Sequence, residues 1–113
     1  MRRIAVAGPY ATGGADADIR AARLAEMNRA ALAVFEKGWA PVVGVNMALP
    51  VIEAAGAERY AEIMQPLSNA VVADCEAILR IGGPSVGADE EVAIVRTRGG
   101  AVYHRIEDVP DLT

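Results

Sequence analysis

A chain of 113 residues is long enough for one domain and too short for two. Its net charge of −4 gives no basic footprint for nucleic acid, and no apolar run approaches the ~20 residues of a membrane span. The single cysteine, Cys75, excludes an internal disulfide and fits a reducing cytosol; with one histidine, His104, it cannot supply an ordinary zinc site.

A cytoplasmic protein without a metal centre is therefore expected. The opening Met1-Arg2-Arg3-Ile4 leads into an apolar stretch that ends at Gly8-Pro9, too short for a signal peptide. Hydrophobic residues make up 53% of the chain but aromatics only 4%, so the core must be built from small and aliphatic side chains. That leaves a modest stability margin, which association of copies would relieve.

The elements follow in order. Arg3 to Ala7 is a short apolar strand running into Gly8-Pro9-Tyr10, and Thr12, Gly13 and Gly14 continue the loop. Asp16 and Asp18 suit a helix start by capping and by the helix dipole. Leu24, Met27, Ala31 and Val34 recur at helical spacing, and Lys37-Gly38 stops the helix, predicted over 16–37. Trp39 to Val43 is a second strand. Gly44 to Gly56 shows no clear period and is predicted as a long loop with one helical turn, of the kind that walls a site. Tyr60, Ile63, Met64, Leu67 and Val71 form another helical stripe; Pro66 within it either kinks the helix or opens a second one.

Ala77 to Ile81 is the third strand. A turn of Gly82, Gly83 and Pro84 follows, then Ser85 and Gly87, then an acidic helix start of Asp89, Glu90 and Glu91. The helix is predicted over 88–98 and stops at Gly99-Gly100. Ala101 to Tyr103 is the last strand, and the tail from His104 to Thr113 is predicted as surface. This β-α-β-α-β-α-β alternation argues for a parallel sheet with helices on both faces. In such sheets ligands bind beyond the C-terminal strand ends, where both glycine-rich turns lie.

A glycine-rich turn before a helix N-terminus is an anion-binding corner. Neither turn matches the dinucleotide fingerprint or the Walker lysine loop. Taken alone, each is equally a tight turn. Glu90 and Glu91 point about 100° apart on a helix, so one can face the sheet edge while the other faces water. Acids in a first turn also serve the dipole, and the helix end favours their ionised form. Ser85 suits a helix cap. Tyr10 and Tyr60 suit core positions with the hydroxyl outward. Cys75 suits a buried site and His104 the surface.

Three segments together resemble the nucleoside 2-deoxyribosyltransferase superfamily, including its nucleoside 5′-monophosphate N-glycosidases. They are Ile4-Ala5-Val6-Ala7-Gly8-Pro9-Tyr10, Ala73-Asp74-Cys75-Glu76-Ala77-Ile78-Leu79, and Pro84-Ser85-Val86-Gly87-Ala88-Asp89-Glu90-Glu91-Val92. The third is the specific one, matching a Ser-x-Gly-x-x-x-Glu pattern. The resemblance spans most of the chain. It implies a three-layer α/β sandwich of Rossmann/flavodoxin-like type, with a parallel sheet of four to five strands.

By the same resemblance, Glu91 is the catalytic carboxylate that attacks the anomeric carbon, and Tyr10 helps to position the ligand for it. Ser85, an acid in transferases that take free nucleosides, contacts the phosphate of a nucleoside monophosphate. Gly8, Pro9, Gly13, Gly14, Gly83 and Gly87 line the sugar and phosphate. No cofactor is implied, the ligand is a nucleoside or nucleotide, and the expected assembly is a homodimer or higher homo-oligomer. The chain departs from the family where an upstream aspartate is usual: Gln65-Pro66-Leu67-Ser68 carries no acid. A non-catalytic nucleotide-binding module is one alternative. Another is a phosphoribohydrolase of the lysine-decarboxylase-like group, although its Pro-Gly-Gly-x-Gly-Thr order is absent.

Overall fold

A computed structural model describes residues 1–113. The strands are β1 (Arg3–Ala7), β2 (Ala40–Val42), β3 (Ala77–Arg80) and β4 (Ala101–Tyr103). The helices are α1 (Ala17–Glu36), α2 (Gly44–Ala55), α3 (Tyr60–Val72) and α4 (Val86–Thr97), with short 3-10 turns at Ala57–Arg59 and Ile106–Asp108. The sheet is all parallel in the order β2-β1-β3-β4, so the chain is a Rossmann/flavodoxin-like three-layer α/β sandwich.

Alternation along the strands divides the core. Ile4, Val6 and Leu79 pack on one face with Met27 and Val34 of α1. Ala5, Ala7 and Ile78 face the other side, toward Val72 of α3 and Val92 and Val95 of α4. After β1 the chain crosses to β2; after β2 it returns past β1 to β3. The topological switch point therefore lies between the C-terminal ends of β1 and β3, where open parallel sheets bind ligands. Ile81 N–H donates to Ala7 O there at 2.9 Å, so the two strands run side by side up to the first glycine.

Asp16 caps α1 by accepting from Ile19 N–H at 2.9 Å, close to the predicted start. Three predictions need correction. The stretch 44–56 is not a long loop but helix α2. It buries Val45, Ala48 and Ile52 against the core, and Pro50 sits on its exposed side, where the unpaired carbonyl meets water. Of the two readings of Pro66 the single helix holds, since α3 runs through it with Pro66 on the exposed side. Helix α4 begins at Val86, earlier than predicted, because Ser85 Oγ accepts from Ala88 N–H at 3.1 Å and fixes the start.

The tail is not free surface either. Val109 is 2% exposed and belongs to the core. Trp39 Nε1 donates to Pro110 O, Lys37 Nζ donates to Ile106 O and Val109 O, and Leu112 N–H donates to Lys37 O. These bonds satisfy polar groups at the end of α1 that would otherwise be buried unpaired.

Candidate active site

A cleft of about 230 Å³ opens at the switch point. Its floor is Gly8, Ser68 and Glu91; Val45 and Met64 line one wall, and Ser85, Gly87 and Ala88 form another. Tyr10, Thr12, Tyr60 and Ala61 complete the lining. Beta strand geometry alone cannot bring these groups together. Gly8 leaves β1, Ser85 to Glu91 belong to the start of α4, and Ser68 comes from the middle of α3.

Glu91 is 6% exposed, while Glu90 is exposed. The choice left open by their angular separation is settled geometrically, with Glu91 facing the cleft. Glu91 Oε1 accepts a 2.6 Å hydrogen bond from Ser68 Oγ. Burial pushes the Glu91 carboxyl up to about 7; the Ser68 bond and the Arg80 charge oppose this, and the Glu90 charge adds to it. This corrects the expectation that the helix end keeps the acid ionised. Glu91 stands beyond the first turn of α4, where the dipole fades and desolvation prevails.

Two helix N-termini converge here. Gly44 opens α2 with no side-chain cap, and Val45 of its first turn lines the cleft. A Cβ on Gly44 would overlap Ser68 Oγ and stand 3.0 Å from Glu91 Oε1, so the backbone of α2 approaches the pair as only glycine permits. At α4, Ser85 is 6% exposed and uses one of its two oxygen lone pairs on Ala88 N–H, which leaves its own hydroxyl proton free to donate. Gln65 Nε2 donates to Asn69 Oδ1 at 2.7 Å and to Gly87 O at 3.2 Å, tying α3 to α4 across the cleft. Gly87 is close-packed for this reason, since a Cβ would run into Gln65 Oε1.

The loops are held from behind. Arg23 Nη1 donates to Tyr10 O at 3.0 Å and Thr12 O at 2.9 Å, fixing the loop after β1. Arg80 fixes the loop after β3, donating to Ile81 O and Gly83 O and pairing with Asp89 at 3.1 Å.

The cleft thus gathers Glu91, Tyr10, Gly8, Ser85 and Gly87 of the predicted residues. Four others lie outside its lining. Gly13 and Gly14 form an exposed turn with positive φ, with open space where a Cβ would stand. Pro9 packs against Gly82, whose φ of 77° holds the two loops in contact. Gly83 is exposed and gives its carbonyl to Arg80.

Four positions went unassigned in the sequence although they line or shape the cleft: Ser68, Gly44, Gln65 and Tyr60. Ser68 and Gln65 bracket the segment where a second acid is usual in the resembled family. Cys75 is buried away from the cleft, and burial pushes its thiol up to about 11, which leaves it inert. No group of three or more His, Cys, Asp or Glu side chains is placed to hold a metal ion. No helix is long and apolar enough to cross a membrane. Comparison with family models, curated proteins and solved structures finds no match to this chain.

Proposed function

We propose that this protein cleaves the N-glycosidic bond of a nucleoside 5′-monophosphate, by hydrolysis or by transfer to an acceptor base. The observation that carries this is the buried Glu91 carboxyl on the floor of a cleft at the strand edge, oriented by Ser68. Breaking an N-glycosidic bond builds positive charge on the sugar ring, and a carboxylate beneath the ring stabilises it or bonds to it. In the covalent route Glu91 forms a C–O bond to the anomeric carbon. The C–N bond breaks, and the departing base keeps the pair and takes a proton from solvent. Water or a second base then displaces the carboxylate.

A cleft of about 230 Å³ lies at the small end for ligand pockets. That volume suits a sugar, and the rest of a nucleotide would extend to the mouth. The free Ser85 hydroxyl and the start of α4 are suited to phosphate oxygens. Tyr10 and Tyr60 offer rings and hydroxyls for the sugar or base. A nucleotide substrate is consistent with a cytoplasmic protein. The resemblance further implies a homodimer. Leu32 and Phe35 of α1, 58% and 53% exposed, lie on the solvent side of the fold and suit such a contact.

The test is direct. The protein is incubated with ribo- and deoxyribonucleoside 5′-monophosphates, and free base is followed by chromatography. Base is expected with the native protein and not with Glu91→Gln. If no base appears while a nucleotide still raises the melting temperature, the chain is a binding module in which Ser68 stands where an acid is needed.

A further inference from the structure

Arg20 Nε is the one buried side-chain nitrogen or oxygen in the molecule without a hydrogen-bond partner. None of the ion pairs includes Arg20. A half-buried guanidinium normally places its donors on acceptors, because desolvating them unpaired is costly. Its neighbours do so: Arg23, one turn along α1, serves the carbonyls of Tyr10 and Thr12, and Arg80 serves its own loop and Asp89. Arg20 differs from both in having no structural employment.

Its place gives the absence meaning. Arg20 stands in the first turns of α1, just past the loop that carries Tyr10 and Thr12 into the cleft wall. Arg20 and Arg23 stand three residues apart on one face of α1; Arg23 holds Tyr10 and Thr12 of the cleft wall, so Arg20 lies beside that wall, just outside the lining itself. Burial and the Tyr10 charge raise the Tyr60 hydroxyl, and the Arg20 charge opposes that rise, in keeping with this placement. A phosphate monoester carries close to two negative charges at neutral pH. The start of α4 supplies only about half a positive charge, and the exposed Asp89 and Glu90 beside it work against even that. Arg80 is already paired with Asp89. The cation needed to balance a phosphate is thus missing from the α4 side and present, unpaired, beside the tyrosines.

We propose that Arg20 binds the anionic phosphate of the ligand at the cleft mouth and sets the preference for phosphorylated over unphosphorylated ligands. Choosing nucleotides as probes rests on the function proposed above; the anion contact does not. Arg20 is a specificity residue here and takes no part in bond breaking.

The test compares affinities by calorimetry and thermal shift. The ligands are adenosine, cytidine, guanosine, uridine and thymidine, their 5′-monophosphates, and inorganic phosphate. The native protein is expected to prefer at least one monophosphate over its nucleoside, with a preference that shrinks as salt rises. Arg20→Gln is expected to reduce that preference about ten- to hundredfold, the usual effect of losing a charge-assisted contact. Arg20→Lys should retain part of it, as a point charge without the fork. Inorganic phosphate should compete with the monophosphate in the native protein. The assignment falls if the native protein shows no preference for the phosphorylated form. It falls equally if folded Arg20→Gln keeps the native preference. Should Arg20→Gln fail to fold, Arg20→Lys decides: an unchanged preference and no competition by phosphate overturn the assignment. If monophosphates bind through Arg20 yet no base is released, the glycosidic reaction is wrong and the anion site stands.

Discussion

The Ser68 hydroxyl lies 2.6 Å from Glu91 Oε1, and both residues are buried. The bond joins the middle of α3 to the second turn of α4 across the cleft floor. Ser68 donates, so it favours the ionised carboxylate, while burial favours the protonated one, and the balance falls near neutral pH. A carboxyl poised near the operating pH is what catalytic acids and nucleophiles require.

If Glu91 attacks as the carboxylate, kcat/KM must rise with pH through about 7, the value to which burial raises this group. Ser68→Ala removes the donor that stabilises the carboxylate. The inflection should move up by about one unit, corresponding to ~1.4 kcal/mol. At pH 7 the rate should fall about fivefold, and the two proteins should converge above pH 9 as both carboxyls ionise. A profile that falls with pH would instead make Glu91 a general acid. An unshifted inflection would remove Ser68 from its role.

The same carboxyl makes stability depend on pH. Unfolded, it releases its proton near 4.5; folded, it holds the proton to about 7. Below pH 4.5 both states are protonated and nothing is lost. Between the two values the unfolded chain ionises first, so stability declines as pH rises, and the deficit is complete above 7. Glu91→Gln keeps the volume, removes the charge and can still accept from Ser68. Urea unfolding should show the variant more stable than the native protein by about 2–3 kcal/mol at pH 8, and nearly equal at pH 4. A variant less stable at pH 8 would contradict a buried, desolvated carboxylate.

The layers of this fold were legible from pattern because four strands read as short apolar runs, and α1, α3 and α4 show a helical stripe or end on a glycine stop. The rest was hidden for identifiable reasons. Helix α2 does hold an inward stripe of Val45, Ala48, Leu49 and Ile52, but Met47 and Val51 make its outer side apolar as well, and Pro50 reads as a break. The tail looks polar, yet its role is to place carbonyls on Trp39 and Lys37, which no local signal announces. In the site, Glu91 and Ser85 were legible because their spacing is local to one helix start. Ser68 and Gly44 were not, since each matters only through contacts made across the fold. Gly13 and Gly14 show the converse: glycine composition suggested a ligand loop, and the structure puts both in an exposed positive-φ turn outside the cleft lining.

Gly44 is the position where this hidden packing should be most sensitive. Gly44→Ala places a methyl against Ser68 Oγ, 2.8 Å from Ser68 Cβ and 3.0 Å from Glu91 Oε1; the hydroxyl can rotate away, but Ser68 Cβ is fixed to α3 and cannot. Helix propensity favours alanine by about 1 kcal/mol, but overpacking a tight interior costs about 1–3 kcal/mol. A net loss of stability is expected in urea unfolding. Base release should fall more than tenfold, because α2 or Glu91 must shift by a few tenths of an ångström. A variant as stable and as active as the native protein would show that α2 does not pack on the pair.

The implied homodimer can be probed at Leu32 and Phe35. Both are more than half exposed on α1, on the side away from the sheet core. Leu32→Glu and Phe35→Glu together remove an apolar contact without touching the buried stripe of Met27 and Val34. Light scattering is expected to give a dimer for the native protein and a folded monomer for the double variant. A native monomer, or a double variant that remains dimeric, would place the contact elsewhere or nowhere.

Ser85 has two tasks that one substitution can separate. It caps α4 through Ala88 N–H, and its hydroxyl faces the cleft. Ser85→Ala removes both, and the lost cap should cost about 1 kcal/mol. Ser85→Asp restores the cap, since aspartate is as good an N-cap as serine, so stability should return to near the native value in urea unfolding. It also puts a negative charge where the ligand phosphate would lie. Binding of 5′-monophosphates should then drop at least tenfold, while the unphosphorylated nucleoside loses far less. A Ser85→Asp protein that is stable and still prefers the monophosphate would move the phosphate away from the start of α4 and leave Ser85 with the cap alone.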